Sequence, residues 1–362
     1  MKTIRFAVVG AKGWRAQFYF RAARTLPESF EICAVYETDP ARAAVIAENW
    51  GVPIADTWDA LRSYAPEFLV VSVRGAAMPG LIAEAVKEGF FVLSETFWPR
   101  DVEALEAFYR AVPDRSRVQT AEQYRFQSHH AALLEAIRQG LLGDVGQAQL
   151  SVCHGYHAAS LMRLYLGVGL APFTVTGSRM TTPTLQGPGR AGWAEKETIR
   201  QDEQDLATVT FDLPNGRRKW ALYDWTDESY FSPIRRPRLL LRGDRGEADE
   251  RSLRRMPDEK SSVELPLLRV AGGAGGDLTP PCVDAVYWGE RCLFRHPWPG
   301  ARLSDEEIAV ACVLRDMGSY VRGGKPCYSM EDSCQDQYLA LMIREACREG
   351  KTLTSGKMPW MA

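Results

Sequence analysis

The sequence predicts an α/β fold in which an N-terminal, doubly wound parallel sheet precedes a C-terminal α+β domain with a mostly antiparallel sheet. Two observations lead to this prediction. In the first third of the chain, short and nearly continuous apolar runs alternate with helical stretches, as in βαβ units whose strands are buried on both faces. Beyond that point the apolar runs alternate with polar residues or contain β-branched ones, which is typical of antiparallel sheets.

The first domain is expected to span residues 1–125. Its first strand covers residues 4–9 and leads into a helical stretch that continues through Arg24. Apolar runs predict further strands, and helical periodicity predicts the helices between them. The strands are expected at residues 30–36, 68–73, 90–94 and 118–123, and the helices at residues 40–50, 79–88 and 101–112.

The second domain is expected to span residues 126–362 and to begin with a helix at residues 129–139. Asn215-Gly216 marks a hairpin turn between two of its strands. A glycine-rich segment at residues 272–276 is expected to be a flexible loop without a phosphate-binding role, because no strand leads into it. The strands are expected at residues 146–152, 174–179, 206–213, 219–224 and 238–242, and two final helices, which we expect to be able to pack on the first domain, at residues 305–322 and 332–349.

The composition of the chain argues against some classes of binding partner. The 362 residues suffice for two domains, and 44 basic against 46 acidic residues leave no strong field to attract nucleic acid or an anionic membrane. The eight cysteines show no C-x-x-C pairing and are expected to be reduced thiols. Neither a signal peptide nor a long apolar run is recognisable. We therefore expect a cytoplasmic protein that acts on a small molecule.

A glycine turn, Gly10-Ala11-Lys12-Gly13-Trp14-Arg15-Ala16, joins the first strand to the first helix. This arrangement lets backbone N–H groups face a dinucleotide pyrophosphate. The usual spacing is G-x-G-x-x-G/A, whereas this chain has one extra residue between the first two glycines. Either the loop is widened by one residue or Lys12 replaces the second glycine, and the alternative interpretation is an ordinary strand-to-helix turn.

The second strand ends in Glu37, where a carboxylate would accept hydrogen bonds from both hydroxyls of an adenosine ribose. A carboxylate there repels a 2′-phosphate, so Glu37 favours NAD over NADP. Arg42 is close enough in sequence to weaken that preference, and a solvated strand end is the alternative for Glu37.

Ligands of doubly wound sheets gather at the carboxyl ends of the strands. This placement adds candidates to the glycine turn and Glu37. The cofactor-binding candidates are Gly10, Lys12, Gly13, Trp14, Arg15, Glu37, Arg74, Glu95 and Thr96. The substrate-binding candidates are Glu122, Tyr124 and Arg125 from these strand ends, and Asp224 from the second domain.

Several segments, in their order and spacing, resemble the glucose-fructose oxidoreductase, inositol dehydrogenase and rhizopine catabolism (Gfo/Idh/MocA) family over nearly the whole chain. Besides the glycine turn, they are Val92-Leu93-Ser94-Glu95, Ala121-Glu122-Gln123-Tyr124-Arg125-Phe126, Leu142-Gly143-Asp144-Val145-Gly146, Gly155-Tyr156-His157 and Arg242-Gly243-Asp244-Arg245-Gly246-Glu247. The resemblance implies an NAD(P)-dependent dehydrogenase of sugars or cyclitols. It also implies a dimer or tetramer formed through the exposed face of the second sheet.

The sequence departs from the family pattern at two places. Family members usually carry Glu-Lys-Pro where this chain has Glu95-Thr96-Phe97, and the hydroxyl of Thr96 does not titrate in the range needed to relay a proton. The family pattern D-x-x-x-H-x-x-D appears here as Cys153, His157 and Ser160. Only the histidine is kept.

His157 is the candidate general base or acid, because imidazole titrates near neutral pH. His154 and Tyr156 are candidates for orienting it or relaying its proton. The alternative is a core or capping histidine. No metal is expected, because two histidines three residues apart lack a third ligand.

The substrate candidates have alternatives of their own. Arg125 suits a carboxylate or several sugar hydroxyls, with an interdomain ion pair as the alternative. Asp224 belongs to a run of aromatic and acidic residues, 223–231, that suits a sugar ring, with surface packing as the alternative. Trp98 is expected to fill the space of the missing lysine and proline.

The sequence thus predicts an NAD-dependent oxidoreductase acting on a sugar, cyclitol or glycoside. One alternative is a lyase or hydrolase that works through a transient keto sugar with retained NAD. Another is a non-catalytic subunit that pairs with an active homologue.

Overall fold

The computed structural model describes residues 2–73, 75–96, 99–189, 192–193, 196–226, 232, 234–272 and 282–361. The chain divides into two units. The first comprises Met1–Ala131, Arg269–Val286 and Phe294–Cys334, and the second comprises Ala132–Leu268, Tyr287–Leu293 and Gln335–Ala362. The expected boundary after residue 125 stays a prediction. Of the glycine-rich segment 272–276, all but Gly272 lies outside the described residues; Gly272 ends a strand, so the expectation that no strand leads into the segment is wrong.

The first unit contains a six-stranded parallel sheet with strand order β3-β2-β1-β4-β5-β6. The order reverses between β1 and β4, which is where doubly wound sheets bind ligands. The predicted α/β fold with a parallel N-terminal sheet is therefore confirmed. Its elements are β1 (Ile4–Val9), α1 (Ala16–Thr25), β2 (Phe30–Tyr36), α2 (Pro40–Trp50), β3 (Ile54–Ala55), α3 (Trp58–Ser63), β4 (Phe68–Val71), α4 (Ala77–Lys87), β5 (Val92–Ser94), α5 (Val102–Ala111) and β6 (Val118–Thr120).

Burial explains why these short strands form a central sheet. All four residues of β4 are fully buried, as expected of a strand covered by helices on both faces. Phe6 of β1 and Phe68 of β4 stack with ring centroids 5.6 Å apart. Pro40 lies at the start of α2, and Gly51 ends that helix in the left-handed conformation with φ +65°.

Strand β6 ends three residues earlier than the sequence predicts. The N–H of Glu122 turns back to the carbonyl of Thr120 at 2.9 Å, and a 3₁₀ turn follows at Tyr124–Phe126. Glu122 therefore lies in the turn that leaves the sheet. This is the position from which a side chain reaches ligands at the carboxyl end of a sheet.

The sheet of the second unit is mixed and mostly antiparallel, as predicted; strand order there is β14-β13-β12-β11-β7-β10-β9-β8-β17, with β7 and β10 parallel. Gly216, at φ +75°, closes the predicted turn between β9 and β10. The remaining elements are α6 (Ser128–Arg138), β7 (Val145–Ser151), α7 (Gly155–Leu166), β8 (Phe173–Leu185), β9 (Ile199–Asp212), β10 (Arg218–Thr226), β11 (Arg238–Gly243), β12 (Gly246–Asp249), β13 (Ser252–Arg255), β14 (Val263–Gly272), β15 (Cys282–Trp288), β16 (Arg291–Arg295), α8 (Asp305–Val321), α9 (Met330–Glu349) and β17 (Thr352–Thr354).

Within the described ranges, no helix has both the length and the apolar character that crossing a bilayer requires.

Candidate functional site

The turn after β1 requires glycine at its first position. Gly10 has φ +88°, and a Cβ built there would lie 2.5 Å from Cγ2 of Val73 and 2.9 Å from the carbonyl oxygen of Ser72. Any side chain at this position would combine an unfavourable φ with a collision against the segment after β4. At Gly13 the nearest atom to a Cβ is the Ser72 carbonyl oxygen at 3.7 Å, an ordinary contact. The second glycine is thus less constrained than the first.

A cavity of about 530 Å³ lies beside this turn, within the first unit. Its volume falls in the range of small-molecule and cofactor sites, roughly 300–1,000 Å³. Residues from the ends of β1, β2 and β4 line it. Among them are Gly10, Lys12, Gly13, Trp14, Glu37 and Arg42. The structure therefore brings the glycine turn and the predicted ribose-binding carboxylate to one cavity, which fits the adenosine half of a dinucleotide.

Glu37 is buried at the edge of the cavity. Its Oε1 accepts hydrogen bonds from the N–H of Asp39 at 3.0 Å and from Nη2 of Arg42 at 2.8 Å. The hydrogen bond from Arg42 lowers the pKa of Glu37, more than burial raises it. The carboxylate is consequently ionised at neutral pH and available to accept hydroxyl hydrogen bonds.

Arg15 occupies a different environment from the rest of the turn. Its Nε donates to Oε1 of Glu95 at 3.1 Å, and its Nη1 donates to Glu306 at the start of α8. Burial alone would lower the pKa of Arg15, but the charges of Glu95 and Glu306 outweigh it and the pKa is raised. Its guanidinium is therefore committed to protein carboxylates. A contact between Arg15 and a cofactor stays a prediction.

Glu306 and Glu95 each accept hydrogen bonds from several side chains. Oxygens of Glu306 also accept from Nε2 of Gln123 at 3.1 Å and Nε2 of Gln127 at 2.7 Å. Oε1 of Glu95 also accepts from the hydroxyl of Tyr19 at 2.6 Å. The carboxyl end of β5 is thereby tied to α1 by a buried polar network. Thr96 follows Glu95 directly and is half-buried.

Glu122 is fully buried in the turn after β6. Its Oε1 accepts from the N–H of Tyr124 at 3.2 Å. Burial raises the pKa of Glu122 well above the ordinary glutamate range, against the opposing effects of that N–H and of Arg125. Glu122 therefore keeps its proton to a higher pH than an exposed glutamate does.

Arg125 is held by its own neighbours. Its Nη2 donates to the carbonyl of Cys327 at 2.5 Å, and its guanidinium lies over the rings of Phe126 and Tyr328 at 4.5 Å and 5.3 Å. These contacts lie within the first unit. Tyr124 beside it is buried. Substrate binding by Tyr124 and Arg125 stays a prediction.

In the second unit, the three catalytic candidates surround the start of α7. His154 is exposed at the N-cap position, and His157 is buried in the first turn. The His157 ring lies 5.2 Å from the ring of His154 and 5.4 Å from that of Tyr156, centroid to centroid. The structure thus brings these three side chains together. Cys153 and Ser160, at the two altered positions, are fully buried.

Asp224 lies on the other face of the sheet from this cluster. The hydroxyl of Tyr223 on β10 accepts from the N–H of Gly155 at 3.1 Å, so Tyr223 faces the start of α7. Successive side chains of a strand point to opposite faces. Asp224 instead accepts a hydrogen bond from Gln204 of β9. Its assignment to the substrate stays a prediction, as does that of the run 223–231, of which residues 227–231 lie outside the described residues.

Two further candidates, Arg74 and Trp98, also lie outside the described residues. Conversely, sequence reasoning missed Tyr19 and Glu306 of the buried polar network, and Asp39 beside Glu37. Tyr19 follows Arg15 by four positions on one helix face, a signal that could have been used. For Glu306 there was none, because 291 positions separate it from Arg15.

A metal centre would need three or more ligands close together. Within the described ranges, no group of three or more His, Cys, Asp or Glu residues is arranged to hold one.

Comparison with known proteins adds a family match in the first unit. Residues 4–122 match the family model GFO_IDH_MocA, described as an oxidoreductase family with an NAD-binding Rossmann fold. These residues contain the glycine turn, Glu37 and Glu95. No curated protein matches the chain.

Solved structures resemble the chain over nearly its whole length at low identity. An NAD-binding oxidoreductase from Klebsiella pneumoniae has a TM-score of 0.69 at 17% identity, covering 98% of this chain and 100% of that one. A myo-inositol dehydrogenase from Corynebacterium glutamicum has a TM-score of 0.63 at 16% identity, covering 98% and 99%. A levoglucosan dehydrogenase in complex with NADH and levoglucosan has a TM-score of 0.67 at 14% identity, covering 98% and 100%. At these identities the likeness shows a shared fold.

Proposed function

We propose that the chain is a divergent, NAD-dependent oxidoreductase of the Gfo/Idh/MocA type, because residues 4–122 match the model of that family, described as an NAD-binding Rossmann fold. Its proposed substrate is a carbinol of a sugar, cyclitol or glycoside. The single observation that carries the proposal is the cavity shared by the glycine turn and Glu37. The dehydrogenases of similar fold, one of them solved with NADH and levoglucosan, support the substrate class.

Each residue of the cavity has a defined part in holding the cofactor. Gly10 keeps the turn free of a side chain, so that the pyrophosphate can approach the backbone N–H groups before α1. The carboxylate of Glu37 accepts hydrogen bonds from the adenosine ribose hydroxyls. Lys12, exposed on the turn, places a positive charge near the phosphates. When bound, NAD supplies the hydride acceptor.

The protein must also take the proton of the reacting hydroxyl. We assign this step to His157, with the neighbouring rings of His154 and Tyr156 orienting the imidazole. Thr96 stands where the family resemblance implies a lysine, and it does not titrate in the useful range. The proposal therefore places all proton transfer on the histidine.

The altered positions 96, 153 and 160 favour a second candidate, in which retained NAD oxidises and then reduces the same sugar during a lyase or hydrolase reaction. A third is a non-catalytic subunit. We further propose that the chain forms a homodimer or homotetramer. We propose that it is cytoplasmic and acts without nucleic acid or membrane. A different protein as partner is expected only if the chain is a non-catalytic subunit.

Absorbance at 340 nm distinguishes the candidates. Purified protein is incubated with NAD and a panel of cyclitols, aldoses and glycosides, and products are followed in parallel by mass spectrometry. Net NADH formation supports the dehydrogenase. Product formation without net NADH supports the retained-cofactor reaction. The absence of both, together with no NAD binding, would overturn the proposal.

A further inference from the structure

Asp39, Arg42 and Glu37 form a closed ring of two hydrogen bonds and one ion pair at the start of α2. Oδ1 of Asp39 caps the helix by accepting from the N–H groups of Ala41 at 2.9 Å and Arg42 at 3.3 Å. Oδ2 of Asp39 pairs with Nη1 of Arg42 at 3.0 Å. The other arm of the same guanidinium, Nη2, donates to Oε1 of Glu37. Arg42 thus connects the residue that caps the helix, Asp39, to the carboxylate that lines the cavity, Glu37.

The ring uses only one oxygen of Glu37. Both the N–H of Asp39 and Nη2 of Arg42 donate to Oε1, at 3.0 Å and 2.8 Å. Neither of these two donors is bonded to Oε2, which the ring therefore leaves unused. A carboxylate oxygen has two lone-pair sites, which suits the two vicinal hydroxyls of a ribose.

Two roles are open to Arg42, because it lines the same cavity as Glu37. In one it binds a 2′-phosphate and so admits NADP. In the other it orients Glu37 for NAD. The first role would require Arg42 to leave two carboxylates and would leave a phosphate dianion beside the buried charge of Glu37. The geometry therefore favours the second role.

We infer that Arg42 is a positioning residue for NAD selectivity: through the ring it fixes Oε1 of Glu37 and directs Oε2 to the ribose hydroxyls. This inference rests on the proposed function, since it concerns the same cofactor cavity. It leads to an unusual expectation, namely that removing a cation beside the 2′-position weakens binding of NAD.

The test compares Arg42→Ala with Arg62→Ala by calorimetric titration. The two arginines are matched, since their side chains are 44% and 48% exposed and each pairs with two carboxylates. Three ligands are used: NAD, NADP and, as the deoxy analogue, NAD whose adenosine ribose lacks both the 2′- and the 3′-hydroxyl. We expect Arg42→Ala to raise the Kd for NAD about 10-fold relative to the unmodified protein, which corresponds to the loss of one charge-assisted hydrogen bond. The Kd for the deoxy analogue should stay within about 2-fold of its value for the unmodified protein. Arg62→Ala should change neither.

Several outcomes overturn the inference. An unchanged Kd for NAD in Arg42→Ala, with a raised Kd for NADP, would make Arg42 a phosphate-binding residue. Equal losses for NAD and the deoxy analogue would mean that the ring does not act through the ribose hydroxyls. Both results leave the proposed function intact, provided that the unmodified protein binds NAD. No NAD binding by the unmodified protein would overturn both proposals.

Discussion

Arg15 and Glu95 form an ion pair between the glycine turn and the end of β5, with Nε of the arginine 3.1 Å from Oε1 of the carboxylate. The two side chains are only 14% and 13% exposed. Because Glu95 directly precedes Thr96, this pair links the turn proposed to bind pyrophosphate to the position where the family resemblance implies a lysine. Cofactor binding and the geometry of this strand end are therefore expected to depend on each other.

Replacing Arg15 with methionine is predicted to lower the free energy of unfolding by about 3 kcal/mol. The substitution leaves Glu95 and Glu306 without their cation in a largely buried setting. Urea denaturation measures the change. Arg21→Met on the same helix is the control, because its guanidinium is 47% exposed and 3.8 Å from Glu307, so its loss should cost less than about 1 kcal/mol. Equal costs for the two variants would refute the prediction.

Gly10→Ala is predicted to weaken NAD binding at least 10-fold and to destabilise the protein. The new Cβ would collide with Val73 and with the Ser72 carbonyl, which displaces the turn from the cavity. Gly51→Ala provides a matched control, since Gly51 also has positive φ, at +65°, but a Cβ there meets nothing within 4 Å. The control should lose only about 1 kcal/mol of stability, with normal NAD affinity. Unchanged NAD binding in Gly10→Ala would argue against a cofactor role for the turn.

Glu122→Gln is predicted to stabilise the protein increasingly as the pH rises. The folded-state pKa of Glu122 is raised by burial, whereas the unfolded chain ionises near 4.3. Between these two values the unfolded state releases a proton that the folded state keeps. Stability is therefore full below about pH 4 and falls with rising pH, by up to about 1.4 kcal/mol per unit.

Glutamine cannot ionise, so the variant should escape this loss. Urea denaturation at pH 5, 7 and 9 compares the two proteins. A difference in stability that does not grow with pH would show that Glu122 is ionised in the folded protein.

His157→Gln is predicted to lower turnover about 100-fold, because it removes the group assigned to proton transfer. NAD affinity, measured on the same sample, should be unchanged, since His157 lies in the second unit and the cofactor cavity in the first. Full activity in the variant would leave His157 as a core or capping residue.

Much of the fold was predictable from short-range patterns. The buried strand β4 gives an unbroken apolar run, and helix α2 has its proline and its final glycine at the expected positions. These signals depend on burial and on backbone conformation within a few residues, so a single sequence carries them. The shortened β6 was not predicted, because the turn at Glu122 depends on a hydrogen bond to Thr120 and on no characteristic residue type.

The candidate site likewise contains residues that the sequence could predict and residues that it could not. Glu37 and the glycine turn lie at adjacent strand ends, so the sequence predicted that they share one location, and the cavity contains both. The partners of Arg15 could not be predicted, because Glu306 comes from a helix near the end of the chain. The face on which Asp224 lies could not be predicted either, because register within β10 decides it, and Tyr223 takes the face towards α7.

Binding of NAD tests the central claim most directly. Protein purified without added nucleotide is denatured and the supernatant analysed for copurified cofactor, and the remaining protein is titrated with NAD by calorimetry, alongside Glu37→Ala. The account predicts NAD binding, and a loss of about 1–3 kcal/mol of binding free energy in the variant, as for one charge-assisted hydrogen bond. No NAD in the preparation and no binding at millimolar NAD would contradict it.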